Sequence, residues 1–272
     1  MRMDLKNSFV YGIAGAVLLC SYWFLNTPKP TEEPQQATET AEAEPEEVFT
    51  GEPYHILCFG DSNTWGYDAV TEGRFPKEKR WPTILQENLG MRYEVTPDGM
   101  NGRCTIFCNP GYDYTCGLDT LPAELAANHP VDMIIFMLGT NDCIFSDFYE
   151  INEETVAYGM EQIIKKVEEK SDEIQGFEPE MIIVVPGALR KPDEQTIREV
   201  SFKESGREYS EKLAPLYEDI ANRHHCGFID GTELLEVSPL DCVHLTENGQ
   251  KTLADLLTDY LQNKAKETEK PE

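Results

Sequence analysis

Positive charge is scarce in this 272-residue chain: 23 Lys and Arg stand against 50 Asp and Glu, a formal charge of -27. A surface so acidic repels phosphate backbones and anionic headgroups, which excludes nucleic-acid binding and docking on lipid through a basic patch. It also disfavours anionic substrates. Histidine is sparser still, at five, so chemistry that needs an imidazole has few candidates. No G-x-S-x-G sequence occurs, which removes the plainest mark of an α/β-hydrolase nucleophile. There is no internal repeat, and long apolar runs are limited to one.

That run, Ser8–Leu25, holds eighteen uncharged residues and as a helix would cover about 27 Å, close to the thickness of a bilayer core. Arg2 and Lys6 precede it, and Tyr22 and Trp23 lie at its far end. Such flanks suit a single-pass anchor whose amino terminus stays in the cytoplasm. The small-residue cleavage pattern of a signal peptide is missing after Leu25. We therefore expect a signal-anchor over residues 1–26 and a cell-membrane location with the rest extracytoplasmic; the alternative is a secreted protein. Residues 27–53 are rich in Pro, Glu, Thr and Ala, too poor in apolar groups to offset the entropy of ordering, and read as a disordered acidic linker. A folded domain over 54–264 and a flexible tail over 265–272 complete the expected organisation.

Within the domain, short apolar runs alternate with helix-like stretches, the pattern of a parallel sheet covered by helices. The runs are Tyr54–Gly60, Met91–Thr96, Val131–Gly139, Met181–Pro186 and Gly227–Asp230. Helices are predicted over Trp81–Leu89, Leu118–Asn128, Glu153–Glu169, Gly206–Arg223 and Glu247–Asn263. The third shows Val156, Met160, Ile163, Ile164 and Val167 at helical spacing, with Asn152 placed to cap it.

Ligands of such a sheet bind beyond the carboxyl ends of its strands, so the segments following each run carry the functional question. Gly60-Asp61-Ser62-Asn63 follows the first, Gly99-Met100-Asn101-Gly102-Arg103 the second, and Gly139-Thr140-Asn141-Asp142 the third. Asp241-Cys242-Val243-His244 stands before the last helix. Each segment alone has an ordinary reading as a turn or a cap. Each also has a chemical one. Ser62 sits on a tight turn that would expose its hydroxyl, but a serine needs a base. Of the five histidines, His244 has a carboxylate, Asp241, three residues earlier, so that one imidazole nitrogen could be held while the other faces a serine. Asn141 could offer its amide to a developing oxyanion.

The four segments together resemble the SGNH/GDSL hydrolase family: Ser62 in FGDSNTWG, Gly102 in GMNGRCT, Asn141 in LGTND, and Asp241 with His244 in DCVHLTENG. The likeness spans roughly residues 54–262. Arg80-Trp81-Pro82 and the GxxGR form of the second block are similar to the arylesterase-like branch. Asn63, where leucine is common, and Cys104, where threonine is common, depart from the pattern. The resemblance implies a flavodoxin-like three-layer sandwich around a five-stranded parallel sheet of order 2-1-3-4-5. It also implies a catalytic set of Ser62, Asp241 and His244, with an oxyanion hole made by the Ser62 and Gly102 N–H groups and the Asn141 amide. The implied activity is hydrolysis of short-chain carboxylic esters, aryl esters or acetylated glycans among them, with no cofactor. Thioesterase, lysophospholipase or acyltransferase chemistry on the same site is an alternative, and a surface-binding domain that has lost catalysis is another. A metal hydrolase built on Asp61, Asp142, Asp241 and His244 is a further rival.

Loops Tyr67–Lys79, Thr105–Gly117 and Ala188–Arg198 are expected to wall the site, with Phe107, Tyr112 and Tyr114 available for stacking. Eight cysteines are many for this length. Cys104, Cys108 and Cys116 cluster in one loop, where an oxidising exterior would allow a Cys108–Cys116 bridge. Zinc on the same three lacks a fourth ligand at a usual spacing.

Overall fold

The computed structural model describes residues 49–196 and 202–268. The apolar run Ser8–Leu25, the linker up to residue 48 and the last four residues of the tail lie outside the described residues. Among the described residues no helix is long and apolar enough to cross a membrane.

The chain enters through strand β1 (Tyr54–Gly60), followed by one helical turn, α1 (Ser62–Trp65). Two short strands, β2 (Tyr67–Asp68) and β3 (Gly73–Arg74), pair antiparallel, a ladder the sequence did not announce. Helix α2 (Trp81–Leu89) leads to β4 (Tyr93–Gly99), α3 (Gly117–Asn128) to β5 (Met133–Met137). After β5 come two short helices, α4 (Thr140–Ile144) and α5 (Ser146–Tyr149), then α6 (Glu153–Gln175) and β6 (Glu180–Val185). Helices α7 (Glu204–Ser210) and α8 (Leu213–Arg223), strand β7 (Gly227–Asp230) and helix α9 (Glu247–Thr268) complete the order.

The main sheet is all parallel and runs β4-β1-β5-β6-β7. With the small β2–β3 ladder set aside, that is the 2-1-3-4-5 order. Strand residues alternate between two cores, as the period of two requires. Leu57, Phe59, Ile134, Phe136, Ile183 and Val185 pack under α3, α6 and α8, where Phe136 and Val156 are fully buried. Ile56, Cys58, Met133, Ile135, Ile182 and Val184 meet Trp81, Leu85, Leu253 and Leu257 of α2 and α9 on the other face. Both faces are thus covered, which is why these runs read as continuously apolar.

Local signals account for most helix limits. Asn152 caps α6 by accepting the Thr155 N–H, and Gly176, at φ 82°, closes it. The five spaced apolar residues of α6 are all buried. The helix predicted over Gly206–Arg223 is instead broken between α7 and α8. Pro215 is the cause: it has no N–H to continue the ladder, and its ring collides with the carbonyl four residues back, at Glu211. Helix α9 runs beyond the predicted Asn263 to Thr268.

Candidate active site

Strands β1 and β5 lie side by side at the centre of the sheet, and the segments that leave their carboxyl ends carry Ser62 and Asn141. Their neighbour β4 delivers Gly102. The turn after β1 is tight: a Cβ on Gly60 would lie 2.1 Å from the Thr64 hydroxyl. Asp61 caps α1 by accepting the Asn63 N–H. Ser62 is therefore the first residue of a helix, where the N–H has no acceptor within the helix.

His244, 182 positions away, places Nε2 2.9 Å from Ser62 Oγ. Its Nδ1 lies 2.7 Å from Asp241 Oδ2. The other oxygen of Asp241 accepts the N–H groups of Val243 and His244, at 3.1 Å each. The loop can fold back this sharply because Cys242 takes a left-handed conformation, φ 65°. Burial pushes the Asp241 carboxyl up, but the His244 imidazole and the two N–H groups outweigh it and hold the group below its ordinary value. Asp241 is thus suited to remain ionised and keep a proton on Nδ1, leaving Nε2 to accept from the serine. The Tyr67 ring lies against the imidazole, with centroids 4.1 Å apart.

Gly102 occupies a turn at φ 80°, and a Cβ there would lie 2.8 Å from Asn109 Nδ2. Its neighbour Arg103 is fully buried and fastens the turn to β1. The guanidinium donates to the Gly60 and Asp98 carbonyls at 3.0 and 2.8 Å, pairs with the Asp98 carboxylate and covers the Phe59 ring. Asn141 Nδ2 donates to the Arg103 carbonyl at 3.1 Å and lies 3.4 Å from Asp61 Oδ2. One of its two N–H bonds is therefore held firmly and the other only loosely.

Two buried carboxyls brace these segments. Asp142 accepts the Thr105 N–H and hydroxyl, and Asp61 holds the turn that carries Ser62. Burial raises each to about 6, against partial relief from those hydrogen bonds. In the unfolded chain an aspartate titrates near 3.9. Between roughly pH 4 and 6 the folded protein therefore binds more protons, so the stability these groups contribute at low pH is lost as pH rises through that window. Asp142→Asn is expected to flatten the fall in thermal stability between pH 4 and 6 by up to about 1.4 kcal/mol per pH unit, the slope of one proton. Melting curves of both proteins across that range test this, and superimposable pH profiles would remove Asp142 as a source.

The four expected segments thus meet at one cleft of about 490 Å³, lined by Ser62, Tyr67, Asn101, Gly102, Asn109, Asn141, Ile144, Phe145, Val243 and His244. Its walls differ in part from expectation. Tyr67 and Asn109 come from two of the predicted loops, whereas no described residue of Ala188–Arg198 lines it. Phe107 stacks instead on Tyr149, and Tyr112 and Tyr114 lean on each other at the surface. Ile144 and Phe145 form an apolar wall from an unpredicted helical segment.

The expected Cys108–Cys116 bridge is not formed. All seven cysteines among the described residues are free; the Cys108 thiol donates to the Asp113 carbonyl and Cys116 to that of Thr105. Burial pushes the Cys104 thiol far up and that of Cys116 to about 11, so both stay protonated. Among the described residues no group of three or more His, Cys, Asp or Glu could hold a metal; Asp142 and Asp241 spend their oxygens on Thr105 and on the His244 loop. His55 and His224 sit between acidic partners away from the cleft, His55 with Glu94 and Asp132, His224 with Glu161 and Glu168.

Sequence reasoning missed a buried polar link beneath the serine. Asn63 Oδ1 accepts the Leu245 N–H at 2.8 Å, and its carbonyl accepts Gln250 Nε2 at 2.9 Å. Gln250 Oε1 in turn accepts the Trp81 N–H at 3.0 Å. The only local hints were Asn63 as a departure from the common leucine and the Arg80-Trp81-Pro82 sequence.

Comparison with known proteins bears on the family and the fold. The GDSL-like lipase/acylhydrolase family matches residues 58–252. A carbohydrate acetylesterase family member from Sinorhizobium meliloti is 33% identical, covers 77% of this chain and 97% of its own, and superposes with a TM-score of 0.70. The M. smegmatis aryl esterase is 28% identical over 77% of this chain and 99% of its own, with a TM-score of 0.70. A comparison with curated protein sequences gave no match. The chain belongs to the GDSL-like lipase/acylhydrolase family and is a hydrolase acting on ester bonds.

Proposed function

We propose that the protein is a serine esterase for short-chain, uncharged carboxylic esters such as acetylated sugars or aryl acetates. The observation that carries this is the hydrogen-bonded line from Asp241 through His244 to Ser62, at 2.7 and 2.9 Å. Ser62 Oγ attacks the ester carbonyl as its proton passes to His244 Nε2. The oxyanion rests on the Ser62 and Gly102 N–H groups and the looser N–H of Asn141. His244 then protonates the leaving alcohol and, in the second half, takes a proton from water so that hydroxide character develops at the acyl carbon. Asp241 stays ionised throughout and steadies the imidazolium.

The cleft supports the substrate class. No Asp, Glu, Lys or Arg is among its lining residues, so a charged substrate would lose hydration without a partner. Asparagine amides on one wall suit hydroxyl or carbonyl oxygens, while Ile144, Phe145 and Val243 suit a methyl group or a flat ring. The neighbours that act on carbohydrate acetyl groups and aryl esters point the same way.

A fluorophosphonate probe is expected to label Ser62, located by peptide mass, and to abolish hydrolysis of 4-nitrophenyl acetate in proportion. Chromogenic esters of increasing length should lose kcat/KM steadily beyond butyrate. Activity that persists in fully labelled protein, or labelling elsewhere, would remove Ser62 as nucleophile.

A further inference from the structure

Proton transfer between Ser62 and His244 tolerates little slack, since an error of about 1 Å in the placement of reacting groups can cost on the order of 100-fold in rate. Yet the two residues come from segments 182 positions apart. One residue further along on each side, the two segments are joined. Asn63, directly after Ser62, accepts through its side chain the N–H of Leu245, directly after His244. The Asn63 carbonyl is held by Gln250 at the start of α9, and Gln250 also takes the Trp81 N–H at the start of α2. Asn63 is 3% exposed, and Gln250 and Trp81 are fully buried.

We propose that Asn63 and Gln250 form a positioning clamp that sets the Ser62–His244 distance, so that residue 63 acts on turnover through the imidazole without touching substrate. The proposal rests on the serine-esterase reading above. The chemistry of the contacts singles out asparagine. A leucine at 63 offers no acceptor, and the Leu245 N–H would be left unpaired in a water-poor site, where such groups are rarely tolerated. The loop would then shift to find water or another carbonyl, carrying His244 Nε2 away from Ser62. Neither Asn63 nor Gln250 lines the cleft, so ground-state binding has no reason to follow. Aspartate at 63 keeps an oxygen in the Oδ1 position and can still accept from Leu245.

The test compares Asn63→Leu, Asn63→Asp and Gln250→Glu with wild type on 4-nitrophenyl acetate, each normalised to sites titrated with a fluorophosphonate. Asn63→Leu is expected to lower kcat by about 10–100-fold with KM within about twofold, and Asn63→Asp to recover most of that loss. A purely structural role would lower the melting temperature and leave kcat per titrated site unchanged, which would overturn the proposal. So would an Asn63→Asp protein no faster than Asn63→Leu. If Asn63→Leu does not fold, Gln250→Glu decides, because it loses the amide donor to the Asn63 carbonyl and keeps the Asn63 side chain. A lower kcat at constant KM supports the clamp, and an unchanged kcat overturns it. Ser62→Ala, run beside them, separates the two levels. If that variant is dead while Asn63→Leu is fully active, only the clamp falls; if it stays active, the esterase mechanism falls and the clamp with it.

Discussion

Ser62→Ala and His244→Ala should each lower kcat for a short-chain acetyl ester by on the order of 10⁵–10⁶, and the double variant should lose little more, within about threefold of either. On the proposed mechanism the two groups perform one act. Without the hydroxyl there is no atom to form the acyl bond; without the imidazole, 2.9 Å away, the hydroxyl has nowhere to send its proton as the bond forms. Either deletion leaves the same residue of catalysis, that of the oxyanion donors and of substrate positioning, worth about 10³–10⁴ over water in serine hydrolases of known mechanism. Ser62→Ala should barely change stability, because it removes one hydroxyl, whereas His244→Ala should lower the melting temperature, because the buried Asp241 carboxylate loses the imidazole that holds it at 2.7 Å. Parallel measurement of kcat and melting temperature on the three proteins checks both points. If the losses of the single variants multiplied in the double variant, Ser62 and His244 would be acting in separate steps, and the proton relay would be wrong.

The fold was legible largely because its strands are central. A strand buried on both faces must be apolar throughout, so runs such as that containing Met133–Met137 stood out without any knowledge of their neighbours. Helix α6 declared itself through five residues that fall on one side. The candidate site was legible for a different reason. Ser62, Gly102, Asn141 and His244 each lie at a strand exit or before a helix, and the switch-point rule brings such ends together even when hundreds of atoms separate them in sequence. What escaped depended on contacts without a local pattern. Asn63 and Leu245 share a hydrogen bond across 182 positions, and nothing in either segment marks it. Phe145 lines the cleft because the chain after Asn141 makes two short helical segments, too brief for any periodicity to show. Tyr112 and Tyr114 looked like stacking platforms by residue type, yet neither lines the cleft, and their rings lean on each other at the surface.

Asn141→Ala should lower kcat by about 10²–10³ while KM changes little, the size of effect seen when one oxyanion donor is removed. The argument turns on where charge is at each stage. In the ground state the ester carbonyl is a weak acceptor and the amide already has partners: Arg103 C=O at 3.1 Å and Asp61 at 3.4 Å. The second contact is long, so swinging that N–H toward the substrate forfeits little until the carbonyl oxygen gains full negative charge. Then a charge-assisted bond outweighs it, and the benefit falls on the transition state alone. Folding should survive, since the cost of leaving the buried Arg103 carbonyl without this donor is about 1–3 kcal/mol, a fraction of the stability of an ordinary domain. Asn141→Asp should be slower still at neutral pH, because a carboxylate would face the oxyanion with like charge. A kcat equal to wild type with a raised KM would mean that Asn141 serves ground-state binding, and the oxyanion would then rest on the Ser62 and Gly102 N–H groups alone.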